Sequence, residues 1–243
     1  MADGRWFEAL ADHTGAAYLR YSFTKGTAQE VDFLFDALQL RPGQRVLDVG
    51  CGPGRHARAL AARGVEVVGL DIAWKFLATA RAAESGEAAG PGAWVRGDAR
   101  RLPFPQHSFD AAISLCQGGF GLLGGSDDAS VISEMRRVLR PGGRMAASAF
   151  SSYFAVRFME EGDTFDAGAG VNHERTAVRS EAGEEATFDL WSTCFTPREL
   201  RLICASVGLE VEGLWSVSPG DYVRRRPDID HPEWLVLARR AGP

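Results

Sequence analysis

The stretch QRVLDVGCGPGRHARALAARGVEVVGLD, residues 44–71, constrains the fold more than any other part of this chain. RVLDVG reads as a buried strand that stops at a turn containing Gly50, Gly52 and Gly54. RHARALAARG then predicts a helix closed by Gly64, because a glycine just past a helix end takes up the left-handed conformation without strain. VEVVGLD is a second apolar strand, ending on Asp71. Two strands joined through a helix pair in parallel, and the crossover helix covers the sheet they form.

The same alternation runs on to residue 150. Val31, Leu34, Phe35 and Leu38 fall at helical spacing over 28–40, and RPG at 41–43 ends that helix. A helix is expected over 74–83, strands over 93–98 and 109–116, a helix over 128–143 with a proline–glycine stop, and a strand over 144–150. Beyond 150 the rhythm breaks. ERTAVRS (174–180) and EATFDLWSTC (185–194), joined through EAGE, predict a hairpin preceded by a loop. Thr196 as N-cap, Pro197 at the first helical position and Gly208 as stop predict a helix over 196–208. LEVEGLWSV and EWLVLARR are two more strands. The link between them is too short and too proline-rich for a helical crossover, which makes them antiparallel neighbours.

The expected fold is therefore α/β: a Rossmann-like, doubly wound, mixed seven-stranded sheet with an antiparallel last strand. An N-terminal helical lid and a β-hairpin insertion after the fifth strand are added to it. The expected division is 1–40 lid, 41–150 core, 151–195 insertion on the substrate side, and 196–243 the C-terminal part of the core sheet.

Bulk properties exclude several classes. The 243 residues contain no apolar run near the roughly 20 a membrane span needs. The N-terminus lacks the basic start and apolar stretch of a secretory signal, so a cytoplasmic protein is expected. Twenty-seven basic residues against 32 acidic ones argue against a nucleic-acid partner, and the run Arg224–Arg226 sits among acids as a solvated patch. Cys51, Cys116, Cys194 and Cys204 form no CxxC pair; reduced thiols and no metal site are expected.

The glycine turn raises a choice of ligand. Dinucleotide sites use G-x-G-x-x-G, whereas here Arg55 stands at the third-glycine position. Asp48, just ahead of the turn, would repel a pyrophosphate and suit a cationic ligand. Asp71 stands where an acid accepts both hydroxyls of a ribose, and Asp98 adds a third acid at the same sheet edge. Three acids there favour a ligand bearing amine, hydroxyl and sulfonium groups.

VLDVGCGPG, VVGLD, GDARRLPFPQHSFDAAIS and VLRPGGRMAAS, in this order, resemble the class I S-adenosylmethionine-dependent methyltransferases over about residues 44–150. The resemblance implies S-adenosyl-L-methionine as cofactor, with S-adenosyl-L-homocysteine as product. It implies that Asp48 and the backbone of Gly50, Cys51 and Gly52 hold the methionine end. Asp71 would accept the ribose hydroxyls and Ile72 would pack on the adenine. Asp98 would accept from the adenine amino group beside Ala99, and the backbone around Leu115–Gln117 would line the path to the methyl group. An N-terminal segment folding over the cofactor would bring Tyr21 and Thr24 to the methionine end, with Arg20 as an alternative carboxylate partner.

Acceptor chemistry is less constrained. The expected function is methyl transfer to nitrogen or oxygen of a small molecule by a monomer or homodimer. RNA or protein methylation, and a cofactor-binding scaffold without catalysis, are the alternatives. His173 is the candidate base. His56 reads as packing or surface and His107 as a surface turn. Asp127 and Asp128 suit a helix start better than a metal. The acidic insertion (Glu160, Glu161, Asp163, Asp166, then Glu181, Glu184 and Glu185) reads as a solvated loop, with an amine-bearing acceptor as the alternative.

Overall fold

In the computed structural model, which describes residues 6–83, 93–116, 118–122, 124 and 127–242, the βα alternation is present. Strand β1 (Arg45–Val49) pairs in parallel with β2 (Glu66–Asp71), which pairs in turn with β3 (Ala93–Arg96). On its other side β1 pairs in parallel with β4 (Phe109–Ser114), and β4 with β5 (Leu139–Ser151). The chain thus runs outward from β1 in both directions, which opens a crevice between β1 and β4 at their carboxyl ends.

Both faces of this sheet are covered. Helices α2 (Thr27–Ala37), α3 (Arg55–Ala61) and α4 (Trp74–Ala82) bury Val31, Leu34, Leu60 and Leu77 against Val46, Val67 and Ile113. Helices α5 (Asp128–Val138) and α7 (Pro197–Ser206) bury Val131, Met135 and Leu200 against Leu47, Val49 and Leu70. Val46 and Leu47 face opposite layers because successive strand residues alternate. The start of α7 is fixed locally, as its sequence predicts. Thr196 Oγ1 accepts the Glu199 N–H at 3.2 Å, and a Glu199 carboxylate oxygen accepts the Thr196 N–H at 2.6 Å.

Three expectations change. The helix expected over 128–143 ends at Val138, and Leu139 onward is strand. Pro141 disfavours a helical Arg140, so the chain extends along β4 instead of turning. Its irregularity is absorbed by a register shift between Phe109 and Ala111. The sheet also exceeds seven strands. Eight lie along one path, in the order β10–β9–β11–β5–β4–β1–β2–β3, because the proline-rich link supplies β10 (Asp221–Arg225) beside β9 (Leu209–Ser218). As predicted, β11 (Glu233–Arg240) runs antiparallel between β5 and β9.

The insertion, third, holds more than a loop and a hairpin. A short helix α6 (Ser152–Arg157) comes first, its N-terminus capped by Ser151 Oγ, which accepts the Phe154 N–H at 3.2 Å. Strand β6 (Thr164–Asp166) then pairs with β7 (Val171–Arg179), and β7 with β8 (Glu185–Phe195). The end of β8 joins β5 at Phe150–Cys194 and Ser151–Phe195, so the hairpin springs from the edge of the crevice.

Helix α1 (Trp6–Thr14) and two short 3₁₀ turns (Gly15–Arg20 and Ser22–Thr24) form the N-terminal piece. It is tied to the hairpin across the crevice. The Ala16 N–H donates to Glu181 at 2.8 Å, Tyr21 Oη accepts the Arg179 N–H at 3.3 Å, and His13 Nε2 lies 3.2 Å from the Val178 carbonyl. No helix among the described residues is long and apolar enough to cross a membrane.

Candidate active site

The glycine turn is built into the crevice. Gly50 has φ +70°, and a Cβ on it would overlap the Gly118 carbonyl, so glycine is required both by conformation and by space. The N–H groups of Gly50 and Cys51 donate to the Leu70 carbonyl at 2.7 and 2.9 Å. Gly52 N–H donates to Asp71 Oδ2 at 2.7 Å, and Ala73 N–H to Asp71 Oδ1 at 2.8 Å. The end of β2 and the turn after β1 are thus one hydrogen-bonded unit.

Above it lies a cavity of about 490 Å³, within the size range of small-molecule sites. Gly50, Cys51, Gly52, Asp71, Ile72 and Leu115 are in its wall, as is Tyr21 from the N-terminal piece. A smaller recess, about 40 Å³, shares Gly50, Asp71 and Ile72 and continues to Asp98 and Ala99. The structure therefore brings together nine of the sequence candidates around one connected space.

Their electrostatics differ. Burial pushes the Asp71 carboxyl up to about 6, against the N–H groups of Ala73, Gly52 and Ile72 that favour its charged form. Asp98 is held below the usual carboxylate range, chiefly by hydrogen bonds from Arg100, whose Nη2 is 2.7 Å from Oδ2. Its carboxylate is already clasped by a neighbour two residues on.

Four candidates lie elsewhere. Asp48 is only 2% exposed and stands in neither cavity wall. It shares the β1 face of Val46, toward α3, with Oδ2 left without a partner. Burial raises its carboxyl to about 7, with Asp71 adding to the rise and Arg55 opposing it. Thr24 is buried in its own turn, its hydroxyl 2.9 and 2.8 Å from the carbonyls of Leu19 and Tyr21. Arg20 is exposed. His173 faces away from the cavity: strand alternation gives the wall Glu174, Thr176 and Val178, while His173 stacks on Trp191 and meets Asp189 at 2.9 Å. Gln117 lies outside the described residues. Asp128 accepts the Gly121 N–H at 3.0 Å and Asp127 approaches Arg100 at 3.6 Å, so these two acids are committed separately. His107 is an exposed turn residue with φ +62°.

Other wall residues escaped the sequence reading. Arg55 donates to Thr27 Oγ1 at 2.8 Å, to Glu30 Oε2 at 2.5 Å and to Cys116 Sγ at 2.8 Å. His56 Nε2 is 2.7 Å from the same Glu30 oxygen. Burial would raise Glu30, but His56 and Arg55 outweigh it and hold it low. Burial lowers His56, and the Arg55 charge adds to this against the pull of Glu30. Glu30, His56 and Cys116 converge within 4.8 Å, and the Arg55 guanidinium already bridges two of them. A signal existed: Glu30 stands one turn before Leu34, in the apolar phase of α2. Glu233 and Glu174 also line the cavity, at positions whose facing depends on strand pairing.

Residues 46–143 match the family model described as a methyltransferase domain. The chain is 44% identical over 117 residues to the demethylmenaquinone methyltransferase of Beutenbergia cavernae, covering 48% of this chain and 45% of that protein. It is 36% identical over 112 residues to the malonyl-[acyl-carrier protein] O-methyltransferase of Erwinia billingiae, covering 46% and 41%. Across nearly the whole fold, the CcbJ methyltransferase from Streptomyces caelestis superposes with a TM-score of 0.74 at 24% identity, covering 88% of this chain and 89% of that one. Residues 46–143 thus match a methyltransferase domain, set in a fold shared with a solved methyltransferase.

The matches span a little under half of the two sequence relatives' length. The span matched by the family model ends at residue 143, so it holds the glycine turn, Asp71 and Asp98 but not the hairpin, Glu233 or the N-terminal piece. For S-adenosylmethionine the residues present fit: a turn that only glycine can make, an acid at the end of β2 facing the cavity, and a recess flanked by Ile72 and Ala99.

Proposed function

We propose that this chain transfers a methyl group from S-adenosylmethionine to a nitrogen or oxygen of a small-molecule acceptor, with release of S-adenosylhomocysteine. Asp71 carries the reading. Its carboxylate is in the wall of both the cavity and the recess, at the end of β2, anchored by Gly52 and Ala73 so that free lone pairs meet a ribose diol. Gly50, Cys51 and Gly52 cradle the methionine end, Tyr21 closes over it, Ile72 and Ala99 flank the adenine, and Asp98 stands at its edge. Leu115 and Cys116 border the path to the methyl group.

The cofactor supplies a methyl group on a sulfonium, an already activated leaving group. What remains for the protein is alignment of donor and acceptor, which is worth on the order of 7–11 kcal/mol. The enclosure by α1 and the hairpin serves that end and excludes water. Two relatives matched over 117 and 112 residues carry names with different acceptors, a demethylated menaquinone and a malonyl carrier protein, which supports assigning acceptor choice to walls outside residues 46–143.

The test is calorimetric. S-adenosylhomocysteine is expected to bind and NADH not to; preferential binding of NADH overturns the proposal. Incubating the protein and S-adenosylmethionine with extract fractions is expected to release S-adenosylhomocysteine, read by mass spectrometry.

A further inference from the structure

Glu233 opens β11 and pairs with Phe150 on β5, which places it in the cavity wall beside Leu115, Cys116 and Phe150. It is 3% exposed, and its Oε2 is buried without a hydrogen-bond partner. A buried carboxylate oxygen left unpaired is costly, and something in the working protein must complete it. The neighbouring cation does not. Arg55 attracts its charge, but the hydrogen bonds of that guanidinium go to Thr27, Glu30 and Cys116. Ser148 hydrogen-bonds the Glu233 carboxyl, and Glu30 repels its charge. Tyr18, Cys116 and Tyr222, which also feel Glu233, are kept protonated by burial. A second carboxylate, Glu174, enters the same cavity from the hairpin. Trp6, Leu10, Phe150, Val178, Leu190 and Pro232 give the acceptor side a large apolar area, with Thr176 and Ser192 as its neutral polar groups.

We propose that Glu233 seats the cationic nitrogen of an amphipathic amine acceptor and takes up its proton before methyl transfer. This rests on the methyltransferase reading above. The ammonium N–H proton passes to the Glu233 carboxylate and leaves the nitrogen lone pair free. That pair forms the N–CH₃ bond as the S–CH₃ bond breaks, its electrons remaining on sulfur. The product ammonium keeps its charge, and Glu233 returns the proton to solvent. Burial holds the Glu233 carboxyl at about 7, where it both accepts and releases a proton near neutrality.

The test uses the full chain saturated with S-adenosylhomocysteine, and octylammonium against 1-octanol as ligands that share a tail and differ in charge. Octylammonium is expected to bind more tightly, with an affinity that rises roughly tenfold from pH 6 to pH 8 as Glu233 ionises. Octanol affinity stays flat. Glu233→Gln removes the rise while S-adenosylhomocysteine still binds; Glu174→Gln keeps it. The assignment is overturned by a flat octylammonium profile in the wild-type protein, by an unchanged rise in Glu233→Gln, or by loss of the rise in Glu174→Gln alone. Should Glu233→Gln not fold, a rise that survives in Glu174→Gln supports the assignment and a flat wild-type profile overturns it. A wild-type protein that fails to bind S-adenosylhomocysteine sinks the methyltransferase reading instead, which is a separate outcome.

Discussion

Gly52 N–H donates to Asp71 Oδ2 at 2.7 Å, so the acid that ends the second strand also fixes the turn that ends the first. Asp71 is therefore both a ligand-binding group and a structural tie. Asp71→Ala is expected to weaken S-adenosylhomocysteine by about 1.5–3 kcal/mol, the range for hydrogen bonds to a charged group, and to loosen the turn. Asp71→Asn keeps one acceptor oxygen and should lose less. Calorimetry on both variants checks the order; equal affinity in all three proteins removes Asp71 from the site.

Gly50 admits no side chain. Gly50→Ala meets a positive φ and the Gly118 carbonyl together. Lost donor binding and a lower melting temperature are expected, both larger than for Gly142→Ala, where φ is also positive but no atom lies within reach of the added carbon. Thermal melts with and without S-adenosylhomocysteine compare the two.

Asp48 makes the fold sensitive to alkali. Its folded value, about 7, lies above that of the unfolded chain, so the folded state binds the proton more tightly. The resulting stabilisation is full below about pH 4 and is lost as pH rises through about 7. Ionising this 2%-exposed group costs on the order of 4 kcal/mol more in the fold than out of it. Asp48→Asn should flatten the stability curve between pH 5 and pH 8, measured by denaturant unfolding, and an unchanged slope contradicts this account.

Glu30 is fully buried between Arg55 and His56. Glu30→Gln leaves the Arg55 charge underpaired, and a loss of about 3–5 kcal/mol is expected in urea unfolding. The double variant Glu30→Gln, Arg55→Met should recover part of it.

His173 points away from the cavity toward Asp189 and Trp191. His173→Ala is expected to leave the pH profile of methyl transfer unmoved. A basic limb lost in that variant would return His173 to the reaction.

Sequence by itself determined the parts that depend on neighbours along the chain. The βα alternation, the glycine turn, Asp71 at the end of β2 and the Thr196–Glu199 cap follow from periodicity, backbone freedom and hydrogen bonds that reach only a few residues. Tertiary structure decided what depends on register between distant strands. One residue of slip exchanges the two faces of a strand, so the sequence could name His173 and Glu174 but not which of them enters the cavity. For the same reason Glu233 meets Cys116, and Glu30 meets Arg55, only because β11 settles against β5 and α2 against α3, contacts that no local pattern records.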